Sequence, residues 1–362
     1  MATETRDFIK ERTVENYLDR IRLKSKGTVK NNGSHITKFD SYLQQTYKKN
    51  IQTVFDDILK LSNEQRERAI YDVIQDYVNN LSSRNVGSGY IRNNVYSIKG
   101  YLRYYGFKVT NEDLKDNLTL PRVIEEEREP LTREQLQLVV KNQTELRRAL
   151  YLFMSSSGVR PSEALQIRKR DLELEKYERI LVKLPAKITK TKKSRITFIS
   201  KEAGKELLPY LNKINDDSFI FHTTKLTLEN AVVNELQVFA RLRTRLGLTE
   251  KYESNVHKIS LGDSLRSWFV TKCNRVDYGF GHALAGHDQY MKRYDRLTLD
   301  DKLKLYLKSE KLLQVFEYED EEQTKRTVLL QQDNEKLRTD LDSLTLRVEL
   351  LLASKETTKE EK

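Results

Sequence analysis

The chain has 362 residues, about two domains by length, and 38% of them are hydrophobic. No apolar run approaches the ~18 residues of a membrane span, and the charged start MATETRDFIKERTVE has no secretory pattern, so an intracellular protein without membrane segments is expected. One cysteine, Cys273, excludes an internal disulfide framework, and no Cys/His spacing suggests a metal site.

The charge is uneven. Lys and Arg number 65 against 54 acidic residues, a net +11, but residues 317–362 hold thirteen acids and eight bases, which leaves +16 on residues 1–316. A basic body with an acidic tail fits a polyanionic partner, most simply nucleic acid.

Residues 1–120 are expected to form a helical domain. Ile36, Phe39 and Leu43 share a helical face, as do Ile70, Val73, Tyr77 and Leu81, and then Ile91, Val95, Ile98 and Leu102. Gly- and Asn-bearing stretches, KNNGS and SSRNVGSG, read as the loops between helices. Basic and aromatic residues interleave in YIRNNVYSIKGYLRYYGFK, a pattern that could track a phosphate backbone and stack on sugars or bases. The alternative is an ordinary amphipathic helix.

Residues 121–130, PRVIEEEREP, carry proline at both ends and mostly acid between, and read as an exposed linker. Thr132-x-x-Gln135 then offers a capping box that opens a second domain over residues 131–316. That domain is expected to run helix, helix, then a β-hairpin, with RILVKLPA and RITFIS as strands and KITKTKKS between them. Further helices follow to about Phe316. The expected fold class is therefore mainly α with a small β-hairpin (α+β).

Residues 317–362 form an acidic segment with a leucine ladder. Leu330, Leu337, Leu344 and Leu351 repeat every seven residues, and Thr327, Asn334, Leu341 and Val348 occupy the matching a positions. This pattern resembles a short parallel coiled coil over 324–354, with the Asn fixing register and Asp333 and Arg338 attracting across the pair. A single amphipathic helix or a frayed tail is the alternative.

Four stretches could carry chemistry. In SSSGVRPSEALQIRKRD, Pro161 suits the first position of a helix, which places Arg160 at its N-terminus, where an anion is favoured. A guanidinium strengthens such a site, and Glu163, three residues on, can brace Arg160. A surface salt bridge is the alternative. The hairpin loop holds Lys187, Lys190, Lys192 and Lys193, and Arg195 opens the next strand. A lysine there could reach a DNA groove or serve as a general acid, or the loop could be a solvated turn. In ISLGDSLRSWFVTKCNR, Arg266 falls on a helix with Leu265, Phe269 and Cys273 on its apolar side, and Asp263 is placed to cap it. Last, GHALAGHDQYMKRYDRL brings two histidines and two tyrosines together.

Taken in order, G-x-R-x-S-E, a basic hairpin, an x-L-R helix, then G-H and a tyrosine resemble the catalytic half of the tyrosine recombinases, the phage-type integrases. The resemblance spans about residues 131–310, and the helical domain before it lies where that family keeps its core-binding domain. YDRLTLDDKLKLYLK also resembles the archaeal and viral branch.

The resemblance implies roles. Arg160 and Arg266 would be the two arginines that bind the non-bridging oxygens as attack adds charge to them, with His287 of the G-H pair as a third donor. Lys190 would protonate the leaving 5′-oxygen, with Lys187 and Lys192 as alternatives. Tyr294, rather than Tyr290, would be the nucleophile, activated by the surrounding cations because an ordinary tyrosine has a pKa of ~10. Many members carry His where this chain has Asp263, and a carboxylate cannot donate to phosphate unless protonated. His257 is near enough in sequence to substitute.

The implied function is site-specific DNA recombination through a 3′-phosphotyrosyl intermediate, without cofactor or metal, by a tetramer on double-stranded DNA. A type IB topoisomerase-like enzyme and a catalytically inactive DNA-binding or architectural protein of the same fold are the alternatives.

Overall fold

Polar side chains start most of the helices. In the computed structural model, Thr13, Ser25, Asn50 and Ser62 each accept a backbone N–H at the start of α1 (Val14–Arg20), α2 (Lys26–Tyr47), α3 (Ile51–Leu59) and α4 (Asn63–Ser83). Helix α5 (Ser88–Tyr105) follows Gly87, and α6 (Asn111–Asn117) opens with a Thr110–Asp113 capping box. The structure describes residues 11–84, 86–123, 125–222, 225–287, 294, 296–316, 333–339 and 341. They form two units. The first holds the described residues up to Glu129 together with Thr249–Lys258, and the second holds Pro130–Leu248 and the chain from Ile259.

The first unit is helical, and the three apolar faces read from sequence line its core. Ile36, Phe39, Leu43, Ile98 and Leu102 are fully buried there. Two expectations change. KNNGS is not a loop but the interior of α2, where a Cβ on Gly33 would lie 3.2 Å from Leu18 Cδ1. Packing of α1 against α2 outweighs the local preference of Gly and Asn for turns. The aromatic half of the interleaved stretch is mostly core as well: Tyr101, Tyr105 and Phe107 are buried around Phe55, with ring centroids 5.9, 5.2 and 5.3 Å from it. Tyr96 and Arg103 stay exposed.

The end of the acidic 121–130 segment is exposed yet pinned within this unit. The Glu126 carboxylate accepts the backbone N–H groups of Glu253 and Ser254 at 2.5 and 3.0 Å. The Glu129 N–H donates to the Tyr252 hydroxyl at 2.9 Å, and Lys258 pairs with Glu129 and Glu250 at 2.7 and 3.1 Å.

The second unit opens with α7 (Arg133–Lys141), whose start carries the Thr132–Gln135 capping box. Helix α8 (Glu145–Ser157) is buried from Ala149 to its end and packs against α10 (Lys201–Leu211) and α12 (Ser264–Asn274). The one-turn helix α9 (Pro161–Ala164) follows. The sheet then has three antiparallel strands in the order β1 (Leu172–Glu173), β2 (Leu181–Leu184) and β3 (Arg195–Phe198). The register sets Leu184 opposite Arg195, so the hairpin loop spans 185–194. Strand β1, two residues long, escapes a reading by composition because it is too short to show alternation. The unit closes with α11 (Leu228–Arg245), α13 (Phe280–Ala285) and α14 (Leu299–Leu313).

Among the described residues, no helix is long and apolar enough to cross a membrane, and no His/Cys/Asp/Glu group could hold a metal ion. Of the predicted coil, residues 333–339 and 341 are helical, with Leu337 and Leu341 66% and 65% exposed. The remaining ladder positions lie outside the described residues.

Candidate active site

One carboxylate organises the first half of the site. Pro161 at the first position of α9 leaves Arg160 as its N-cap, and Glu163 turns back on it. The Arg160 backbone N–H donates to Glu163 Oε2 at 3.0 Å, and the Arg160 guanidinium to Oε1 at 3.1 Å. From β3, Arg195 donates to the same two oxygens at 3.3 and 2.5 Å, while its Nε donates to the Leu284 carbonyl at 3.0 Å. Burial alone would raise the Glu163 carboxyl, but the Arg195 hydrogen bonds and charge, followed by Arg160, hold it below the usual carboxylate range. Glu163 and Arg195 are sealed, with side chains 1% and 3% exposed, whereas Arg160 stays 24% exposed. Because α9 has only four residues, its dipole adds little, and affinity for an anion here comes from the guanidinium.

The second half is built on carbonyl oxygens. Arg266, in the first turn of α12, donates to the Gly158 and Ala285 carbonyls at 2.5 and 2.6 Å. Gly158 ends α8 at φ +67°, and a Cβ there would lie 2.3–3.0 Å from the Phe269 ring atoms. Both its backbone angle and its close neighbour therefore require glycine. Burial, then the charges of Arg160 and Arg195, push Arg266 down to about 9, still cationic at neutral pH. His287 follows α13, with its N–H donating to the His282 carbonyl at 2.9 Å and its Nδ1 2.5 Å from that of His282. Burial, then Arg266, His282, Arg160 and Arg195, push His287 down to about 4, so it is neutral near pH 7. Burial and Arg266 also lower His282.

The hairpin lysines, Asp263 and His257 take different places. Lys190 lies exposed in the hairpin loop, where Thr189 Oγ1 bonds the Ala186 and Lys193 carbonyls at 3.0 and 2.9 Å. Lys192 turns back, its Nζ 3.1 Å from the Lys187 carbonyl. Asp263 occupies the N-cap position of α12, but its side chain makes no capping bond. The capping expectation is corrected: at φ −117° and ψ −48° the residue lacks the extended backbone that aims a cap side chain at the helix. His257 belongs to the first unit, its Nδ1 3.2 Å from the Thr249 carbonyl.

Tyr294 is 4% exposed, with its ring 5.7 Å from that of Phe280. Its hydroxyl lies between two acceptors, the Asp277 carboxylate and the Tyr278 carbonyl, the latter at 2.8 Å. A cavity of about 470 Å³ opens beside it, bounded also by Arg195, Leu284, Lys183 and Lys302. Tyr290 lies outside the described residues.

The structure thus gathers Arg160, Glu163, Arg266 and His287, and adds residues to which sequence reasoning gave no role. Alternation along β3 puts Arg195 on the same face as the buried Thr197, which is the local signal that it points inward. His282, the other histidine of the GHALAGHDQYMKRYDRL stretch, is the ring partner of His287. Asp277 carries no local signal at all. The arrangement can receive a tetrahedral oxyanion, with two guanidiniums and an imidazole as donors.

No family model matches the chain, and no curated protein is similar to it in sequence. Solved structures are. The Tn1549 transposon integrase (residues 82–397) in complex with circular intermediate DNA is 14% identical, with 80% of this chain and 97% of that chain covered at a TM-score of 0.50. A lambda integrase (75–356) dimer bound to a COC′ core site is 14% identical over 79% and 98%, at 0.50. The XerH site-specific recombinase on a palindromic difH substrate is 16% identical over 80% and 82%, also at 0.50. Mostly helical, with a small three-stranded antiparallel sheet in its second unit, this chain has the fold of the tyrosine recombinases.

Proposed function

We propose that the protein is a site-specific DNA recombinase that cuts and rejoins DNA through a 3′-phosphotyrosyl intermediate. The observation that carries this reading is the convergence of Arg160, Arg266 and a neutral His287 around the Glu163 anchor. Such a set neutralises the charge that builds on the two non-bridging oxygens when a phosphodiester is attacked. If His282 donates its Nδ1–H to His287, then His287 carries its own proton on Nε2 and can donate it to one of those oxygens.

In the first step the Tyr294 oxygen bonds to phosphorus as its proton passes to water. The bond to the 5′-oxygen breaks, and Lys190 protonates that oxygen. The 5′-hydroxyl of another strand then attacks the phosphotyrosine and releases Tyr294. One ester replaces another in each step, so no energy-supplying cofactor is needed. The basic body supplies sequence-independent attraction to the duplex. A tetramer on two sites is the assembly this chemistry implies.

One observation favours the alternative of an inactive DNA-binding protein: the buried Tyr294 hydroxyl is already engaged by the Asp277 carboxylate and the Tyr278 carbonyl. Denaturing electrophoresis after incubation with a nicked suicide duplex decides between them. The recombinase reading expects a covalent adduct that Tyr294→Phe abolishes and Tyr290→Phe retains. An adduct that survives in Tyr294→Phe, or none from the unaltered protein on its own target, overturns it.

A further inference from the structure

We propose that Arg195 is a positioning residue for strand cleavage: it locks Glu163, and through it Arg160, to the segment that presents His287. The proposal rests on the recombinase reading above.

Three contacts carry it. Arg195 forks onto both oxygens of Glu163 at 3.3 and 2.5 Å, opposite the two bonds that the same carboxylate accepts from Arg160. Its Nε reaches the Leu284 carbonyl at 3.0 Å. Its side chain also lies flat on Gly286, where a Cβ would sit 2.9–3.1 Å from Arg195 Cδ, Nε and Cζ at a backbone φ of +87°. The residues between and after these contacts matter to the site: Ala285 supplies the carbonyl that holds Arg266, and His287 follows Gly286 directly. At its own backbone, Arg195 faces Leu184 across the base of the loop that bears Lys190. One side chain thus joins the 160–163 turn, the hairpin base and the 284–287 turn.

Charge leads to the same role. Glu163 is a buried anion beside Arg160, and with Arg160 as its only cation it would take up that guanidinium's charge. Arg195 neutralises it instead, which leaves Arg160 and Arg266 as the cations available to a phosphate. A buried ion pair contributes little net stability, because desolvation offsets the Coulomb gain. Fixed geometry is what this pair supplies. Lysine keeps the charge but has no planar fork, so it cannot hold both Glu163 oxygens and the Leu284 carbonyl together.

The experiment measures single-turnover adduct formation on the nicked duplex, with DNA affinity and thermal unfolding recorded for the same proteins. Arg195→Lys and Arg195→Gln are both made, so that one folded variant suffices. The folded variant is expected to bind DNA with affinity within about threefold of the parent and to form adduct on the order of 10²-fold more slowly, the scale for a misplaced reacting group. Glu163→Gln is expected to be slowed similarly, and the double variant no more than the slower single, because both act through one fork. A cleavage rate within twofold of the parent, or multiplying losses in the double variant, overturns the proposal. Failure of the recombinase reading looks different: the unaltered protein itself forms no Tyr294 adduct.

Discussion

The Tyr294 hydroxyl rests against the Asp277 carboxylate, beyond the C-terminal end of α12, whereas Arg266 lies in the first turn of that same helix. Eight residues separate Arg266 from the end of α12, about 12 Å, so the phenol is hydrogen-bonded past the opposite end of the helix from the arginine proposed to receive the phosphate. For Tyr294 to act, it must leave Asp277. Asp277→Asn replaces a charge-assisted acceptor with a neutral one, which weakens the hold by about 1 kcal/mol. The expected result is a threefold to tenfold faster formation of adduct, estimated at roughly tenfold per 1.4 kcal/mol. A slower rate would instead make Asp277 the acceptor of the tyrosine proton.

The two arginines should fail differently. Arg160→Ala and Arg266→Ala are each expected to slow cleavage by about 10²-fold or more, the scale for losing one oxyanion donor. Only Arg266→Ala should also destabilise the fold, because it strips the buried donor from the Gly158 and Ala285 carbonyls, at about 1–3 kcal/mol for each buried acceptor left unsatisfied. Glu163 keeps Arg195 when Arg160 is removed, so Arg160→Ala should unfold within a few degrees of the parent. Calorimetric melting of the two variants makes the comparison.

His287, pushed down to about 4, sets a pH dependence whose sign is fixed. The unfolded chain protonates this ring near its ordinary pKa of ~6.5 while the folded one does not, so this contribution to stability is lost as pH falls through that window toward 4. A bound phosphate brings negative charge to the same cations and raises the histidine's proton affinity. DNA binding at pH 5–6 should therefore take up protons. Titration calorimetry in buffers of different ionisation enthalpy measures the uptake, and His287→Gln should reduce it.

Affinity for non-specific duplex should fall steeply with salt, because the +16 of residues 1–316 displaces condensed counterions. A log–log slope steeper than about −2 is expected, and a shallower one would argue against extended duplex contact.

The leucine ladder makes a separate prediction. Removing residues 324–362 should leave adduct formation intact and reduce cooperative assembly on DNA, since a coil of three to four heptads acts mainly once DNA brings protomers together. Sedimentation of the isolated 324–362 peptide tests the premise. A monomeric, unstructured peptide at high micromolar concentration removes the coiled coil.

What could be read from the sequence was what short spacing encodes. Thr132 with Gln135 and Arg160 with Glu163 are contacts three residues apart, and the hairpin strands announce themselves by β-branched composition. The reading failed where distant residues decide. Gly33 is helical because Leu18 covers it, although its neighbours spell a turn. Arg195 meets Glu163 across 32 positions and Tyr294 meets Asp277 across 17, separations that no periodicity spans. Asp263 sits where a cap belongs, but its backbone angles come from the surrounding fold and defeat that role.

The segment Thr249–Lys258 folds with the first unit although the chain on both sides of it belongs to the second. That makes the first unit discontinuous in the gene. A fragment ending at Glu129 would keep the Glu126 and Glu129 carboxylates but lose the Glu253 and Ser254 amides and the Lys258 ammonium that meet them. Exchange of this unit with that of a relative through one crossover at the acidic linker would leave half of the clasp behind. A faithful exchange needs three junctions, after Glu129, after Leu248 and after Lys258, so these two units are expected to be inherited together.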